Sequence, residues 1–178
     1  MRTWEYISKD GRKIFVRPAQ RDDATNLHEG FRKVVDEGRW LPTFVANAHV
    51  SDWVHWIERT NHNRDILLIA FLGEKYAGHL TLQPEEWNAS QHVAKLGIIV
   101  VNECRHVGVG RSLMLAAEEF GMEKDYMKII LSTFEDNTIA LDLYRNLGYR
   151  LVGVRKNHFN MPKGFIDEVL MEKELLEL

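Results

Sequence analysis

A single cysteine, Cys104, stands among 178 residues, so no internal disulfide can form. That scarcity fits a reducing cytoplasm. No run of about eighteen uninterrupted apolar residues occurs, the length a helix needs to cross a bilayer. No membrane span is therefore expected. The opening Met1-Arg2-Thr3-Trp4-Glu5 carries an early acid and no apolar stretch, unlike a secretory signal. Neither sign of charge prevails: 23 Lys and Arg face 26 Asp and Glu, a net charge of −3. A basic stripe for nucleic acid or a membrane surface is missing. Eight histidines are present, yet none has a metal-ligand spacing to a cysteine or a second histidine, so no metal is expected. Repeats and low-complexity tracts are absent. What remains is globular in composition, 45% hydrophobic and 28% charged. One domain over residues 1–178 is expected.

The periodicities give the order of elements. Trp4 to Ile7 and Lys13 to Arg17 flank Lys9-Asp10-Gly11, a hairpin signal because glycine accepts positive φ. Pro18 ends that strand. Asp22 or Asp23 is placed to cap a helix whose Leu27, Phe31, Val34 and Val35 share one face, and Gly38 ends it. Ser51 opens a second, short helix with Trp53, Trp56 and Ile57. Ile66 to Leu72 and Tyr76 to Leu82 form a meander about Gly73-Glu74-Lys75. After a polar loop from Pro84 to Gln91, His92 to Val101 reads as a long buried strand. Val109, Leu113, Ala116 and Phe120 start a helix at once. Ile129 to Phe134 is a strand, and Asn137 starts a helix that stops at Gly148. Tyr149 to Val154 and Phe165 to Met171 close the fold. With the hairpin as one unit the order is β-α-α-β-β-β-α-β-α-β-β. It implies an α/β fold, a mixed sheet flanked by helices.

The segment with chemical content is Arg105-His106-Val107-Gly108-Val109-Gly110-Arg111-Ser112. It leaves a buried strand and opens an amphipathic helix. First-turn N–H groups lack intrahelical partners, and the helix dipole adds positive charge. Two glycines let a ligand approach the backbone, and Arg105 and Arg111 add formal charge. A pyrophosphate suits such a turn. Two glycines two apart are also common in plain packing turns. A P-loop would need a lysine that is missing. A dinucleotide fingerprint would need a glycine where Leu113 stands.

These letters carry a family resemblance. Val100-Val101-Asn102-Glu103-Cys104 followed by Arg105 to Gly110 resembles the strand and Arg/Gln-x-x-Gly-x-Gly/Ala loop of GCN5-related N-acetyltransferases, the GNAT superfamily. Asn137, Ala140, Leu143, Tyr144, Gly148 and Tyr149 resemble that family's second motif. Val16-Arg17-Pro18-Ala19 with Asp22-Asp23-Ala24 is similar to its opening strand and helix. The resemblance runs from about Ile14 to Leu175. It implies the GNAT-type acyl-CoA N-acyltransferase fold and an acetyl-CoA-dependent enzyme. That enzyme would pass the acetyl group directly to a primary amine. It implies that Ile98, Ile99 and Val100 pair through their backbone with the pantetheine arm. Arg105, His106, Val107, Gly108, Val109, Gly110 and Arg111 would cradle the pyrophosphate. Asn137 would bind near the thioester, and Tyr144 would sit beside the sulfur.

Amine acylation needs a neutral amine and a proton for the leaving thiolate. Ammonium groups have reference pKa values of about 8 to 10.4, so a base must act near neutrality. Tyr144 is the candidate acid, although its place on an apolar helix face also suits a core residue. Glu85 is the first candidate base, with Glu86, His79, His92 and Glu103 as others. A solvated role is common for each. Protein N-terminal acetyltransferases often carry a glutamate where Ser132 stands, a departure that argues against copying their base. Trp40, Trp53, Trp56 and Trp87 are candidates to line the acceptor site, as is the apolar connector Trp40-Leu41-Pro42-Thr43-Phe44. His158, Asn160 and the turn Pro162-Lys163-Gly164 are placed between the last two strands, a position suited to a lid or homodimer contact. The expected acceptor is a small metabolite such as an amino acid or polyamine. A protein N-terminus or lysine is the alternative, and a non-catalytic acyl-CoA-binding module the remaining one.

Overall fold

The computed structural model describes residues 2–60 and 64–175; both ends of the expected 1–178 domain lie outside them. Eight strands form one sheet: β1 Trp4–Ile7, β2 Lys13–Pro18, β3 Ile66–Leu72, β4 Lys75–Pro84, β5 Val93–Val100, β6 Lys128–Phe134, β7 Arg150–Met161 and β8 Gly164–Glu174. The helices are α1 Ala24–Asp36, α2 Val50–Arg59, α3 Val109–Glu123 and α4 Thr138–Asn146. The strand order is β1-β2-β3-β4-β5-β6-β8-β7. Every neighbouring pair is antiparallel except β5 and β6. The expected mixed α/β sheet is therefore present, with one parallel seam. No described helix is long and apolar enough to cross a membrane.

Strand alternation sends successive side chains to opposite faces. On one face Leu68, Ala70, Leu80, Leu82 and Leu96 meet Leu113, Met114 and Ala117 of α3 and Leu141, Tyr144 and Leu147 from the α4 segment. On the other, Leu67 and Ile69 meet Leu27 of α1 with Trp53 and Ile57 of α2. Leu67 and Ile69 are wholly buried, each worth about 1.5–3 kcal/mol relative to exposure. The helical spacing of Trp53 and Trp56 is thus explained by packing, as their rings also meet each other at 5.1 Å.

Element boundaries differ from expectation in three places. Asp23 does not cap α1 with its side chain. It closes a preceding 3-10 turn by accepting the Gln20 N–H at 2.7 Å, and Arg17 holds it at 2.6 Å. The second helix starts at Val50, one residue before Ser51, because Asp52 reaches back to the His49 N–H at 2.7 Å. The closing strands are much longer than their hydrophobic cores, so His158 and Asn160 belong to β7 rather than to a connection. Gly148, with φ +89, follows the C-cap of α4 as expected.

Candidate active site

The site begins where the parallel seam stops. Val93, Ala94 and Lys95 pair with Lys128, Ile129 and Ile130, and no further. Beyond them β5 keeps its pairing with β4 out to Val100 opposite Gly78, while β6 keeps its pairing with β8 out to Phe134 opposite Glu168. The two strands diverge. From Leu96 to Val100 the edge of β5 that faces β6 has no strand partner, so backbone groups that an intact sheet would consume remain available, apart from the Val100 carbonyl, which Arg105 takes. The resulting gap is a cavity of about 750 Å³. Ile98, Ile99 and Val100, the residues assigned to the pantetheine arm, line it. Leu96 and Gly97, which the sequence did not single out, line it too. A polar arm laid along this edge would complete the ladder as an added strand does.

At the open end of β5 the chain turns into α3. His106 takes a left-handed φ of 65° and Gly108 a φ of 110°. Val107 is fixed by its carbonyl, which accepts the Lys9 N–H at 2.8 Å and ties the first hairpin to this turn. Ser112 closes the first helical bond to the Gly108 carbonyl at 3.0 Å. The N–H groups of Val109, Gly110 and Arg111 therefore stand at the helix start without intrahelical acceptors. A Cβ at Gly110 would lie 3.1 Å from Leu143 Cδ2, tighter than an ordinary contact. His106, Gly108, Gly110 and Arg111 line the cavity, whereas the Val109 side chain is buried in the core.

The two arginines divide the work. Arg111 forms no ion pair among the described residues and faces the cavity. Arg105 donates to both Glu37 oxygens, at 2.7 and 2.6 Å, and to the Val100 carbonyl at 2.9 Å. Its guanidinium lies 5.5 Å from the Trp40 ring. This clamp ties the end of α1 to the end of β5 and holds Trp40 at the cavity wall. The charge that Arg105 was expected to offer a phosphate is already balanced by Glu37.

Asn137 caps α4 through Oδ1, which accepts the Ala140 N–H at 3.3 Å, and donates from Nδ2 to Thr133 at 3.2 Å. Its side chain lines the cavity in that fixed orientation. Tyr144, one face further along α4, is 5% exposed and packs its ring 6.0 Å from Tyr149. Among the described residues no protein group hydrogen-bonds its hydroxyl. Burial pushes its pKa above the ordinary tyrosine value, so the proton is held across neutral pH.

The candidate bases are not brought to the cavity. Glu85 sits beside the start of β5, at the closed end of the gap, with its N–H on the Val93 carbonyl at 3.0 Å. It is not a lining residue, and neither are Glu86, His92 and Glu103. His79 is buried between Tyr76, whose hydroxyl shares a 2.7 Å hydrogen bond with Nδ1, and Trp53, whose ring meets it edge-on at 5.5 Å. Burial draws its pKa down to about 3. Of the tryptophans, Trp40 lines the cavity and Trp87 is 75% exposed away from it. Leu41 and Pro42 join Trp40, while Phe134 and Phe159 form an aromatic wall opposite, 4.8 Å apart. Sequence reasoning missed that wall, because strand divergence creates it and register, not composition, sets the divergence.

The sequence model of the Acetyltransferase (GNAT) family matches residues 33–149. The chain belongs to the GNAT acetyltransferase family. The L-amino acid N-acetyltransferase AaaT of Escherichia coli is 26% identical over 165 residues, covering 90% of this chain and 98% of that protein. A GNAT superfamily phosphinothricin acetyltransferase from Sinorhizobium meliloti, solved in complex with AcCoA, superposes with a TM-score of 0.83 at 17% identity, over 89% of this chain and 86% of that one. A ribosomal-protein-alanine N-acetyltransferase from Brucella melitensis gives 0.80 at 22% identity, over 89% and 98%. These likenesses extend the GNAT fold across nearly the whole chain.

Proposed function

We propose that this GNAT N-acetyltransferase moves the acetyl group of acetyl-CoA onto the primary amine of a small metabolite, with free amino acids the first class to test. The observation that carries the reading is the unpaired β5 edge running from the α3 N-terminus toward Tyr144. It offers a strand-like groove for the pantetheine, N–H donors for the pyrophosphate and a buried hydroxyl for the sulfur. The residues present fit that cosubstrate: Gly110 leaves no side chain at the turn, and Arg111 is uncommitted. AaaT, an L-amino acid enzyme of matching length, supports the amino acid class.

In this reading Val109, Gly110 and Arg111 hold the phosphates through backbone N–H groups. The β5 edge orients the arm, and Tyr144 gives its proton to the departing sulfur. Coenzyme A supplies the activated acyl group. The test is release of free thiol from acetyl-CoA in a panel of amino acids, polyamines and N-terminal peptides. Turnover with amino acids above the other classes supports the proposal. Turnover confined to peptides would replace it with protein acetylation.

A further inference from the structure

Proton removal from the incoming ammonium requires a group that Tyr144 cannot supply. Tyr144 belongs to the core on the α3 face, so the amine has to arrive from the other face. On that face three strands place Phe134, Glu168 and Arg155 in one row, as cross-strand partners across β6, β8 and β7. Phe159, opposite Ile166, shares the face and stacks on Phe134; both rings line the cavity.

Between Arg155 and Phe159 the register of β7 slips. Asn157 takes a left-handed φ of 51°. Asp167 secures the resulting bulge by accepting the Asn157 N–H at 2.7 Å and the Lys156 ammonium at 2.5 Å. Bulges re-aim side chains, and this one sets His158 against Glu168 and Phe159, outside the cavity lining but beside one of its walls, so that a water has to link it to the amine. Its Nε2 lies 3.2 Å from Glu168 Oε2, and its ring meets Phe159 edge-on at 4.8 Å. The Glu168 side chain is 8% exposed and that of His158 41%. Arg155 binds the same Glu168 oxygen at 2.9 Å.

The geometry points to His158, oriented by Glu168, as the base that takes the proton of the acceptor ammonium. This rests on the acetyl-transfer reading above. The carboxylate accepts from Nε2–H, which leaves Nδ1 as the proton acceptor. Among the described residues Nδ1 has no protein partner. The ammonium proton passes to Nδ1 through one water. The amine lone pair then forms the C–N bond as the C–S bond breaks. The electron pair leaves on sulfur, which takes the Tyr144 proton; the second nitrogen proton returns to Tyr144. His158 hands its proton to solvent through its exposed edge, so one proton is released per turnover.

The charged groups about His158 are Glu168 on β8 and Arg155 on β7. Asp167, Lys156 and Glu135 lie around the bulge. His79 shares this face but is enclosed by Tyr76 and Trp53, with no route to water.

The test compares wild type with His158→Gln, His158→Ala and Glu168→Gln. Loss of a general base typically costs about 10²–10⁴-fold. His158→Gln should lower kcat/KM for the amine by about 10²-fold or more and abolish the acid limb of its pH profile. Glu168→Gln, which removes the carboxylate that orients Nε2, should lower kcat/KM for the amine in the same direction while leaving KM for acetyl-CoA unchanged. Free imidazole should restore turnover to His158→Ala, which a loosened wall would not allow. Coenzyme A affinity, measured by calorimetry, should stay unchanged in all three. A folded His158→Gln with a wild-type acid limb and rate overturns the proposal. So does failure of imidazole rescue together with an undiminished kcat/KM in Glu168→Gln. A wild type that binds coenzyme A yet releases no thiol with any primary amine overturns the transfer reading first, and this proposal with it.

Discussion

Tyr144 is a core residue that also lines the cavity. Its ring is packed among Leu141, Leu147 and Tyr149, and its hydroxyl has no protein partner among the described residues. The fully buried Tyr149 hydroxyl beside it also has no hydrogen-bond partner among the described residues, so what sets Tyr144 apart is its place on the cavity wall. Tyr144→Phe should keep the packing, the melting temperature and coenzyme A affinity, and lower kcat by about 10²-fold or somewhat less. The small end is expected because a thiol pKa of about 8.5 makes the thiolate a fair leaving group unaided. Steady-state kinetics and calorimetry on one preparation check this, and an undiminished kcat would return Tyr144 to the scaffold. Arg105 teaches the converse. Its letter fits a phosphate loop, but its charge is spent on Glu37, a residue 68 positions away that spacing along the chain cannot reveal.

At the scale of elements, the proposed reading makes cofactor affinity depend on the start of α3. Gly110→Glu would set a carboxylate against Leu143 Cδ2 and into the field of the uncapped N–H groups. A side chain reoriented to avoid Leu143 would enter the phosphate position. Coenzyme A affinity should fall beyond calorimetric detection while circular dichroism stays that of a folded protein; retained affinity would move the pyrophosphate elsewhere. Most elements were legible. Asp10-Gly11, Gly38, Gly73 and Gly148 mark turns because each glycine takes a positive φ where a side chain would be strained. The GNAT motifs then located the glycine turn into α3 and the helix α4. The β7 bulge was not legible. It depends on Asp167 holding the Asn157 N–H across two strands, and alternation along one strand carries no record of its neighbour. Glu85 failed as a lining residue for a related reason: it is near β5 in sequence, but at the end where the gap is shut.

For the molecule as a whole, His79 sets a limit on acid stability. Its ring titrates at about 3 in the fold against about 6.5 in an unfolded chain. The folded value is the lower one, so the unfolded chain binds the proton first as pH falls. This contribution is complete above pH 6.5 and is lost progressively toward pH 3, by up to about 1.4 kcal/mol per pH unit. Urea unfolding at a series of pH values should show that decline, and His79→Leu should flatten it; an equally steep decline in the variant would assign the loss to other groups. A last consequence follows from the three-residue seam between β5 and β6. Among the described residues it is the only strand pairing between the five-stranded and three-stranded portions of the sheet, and it is far shorter than its neighbours. Opening there breaks few backbone bonds, so amide hydrogens of residues 93–95 and 128–130 should exchange with deuterium faster than those of β3 and β4. A ligand seated across the gap bridges both portions and works as a removable fastener. Binding coenzyme A should slow exchange along the seam itself, beyond the residues the ligand touches.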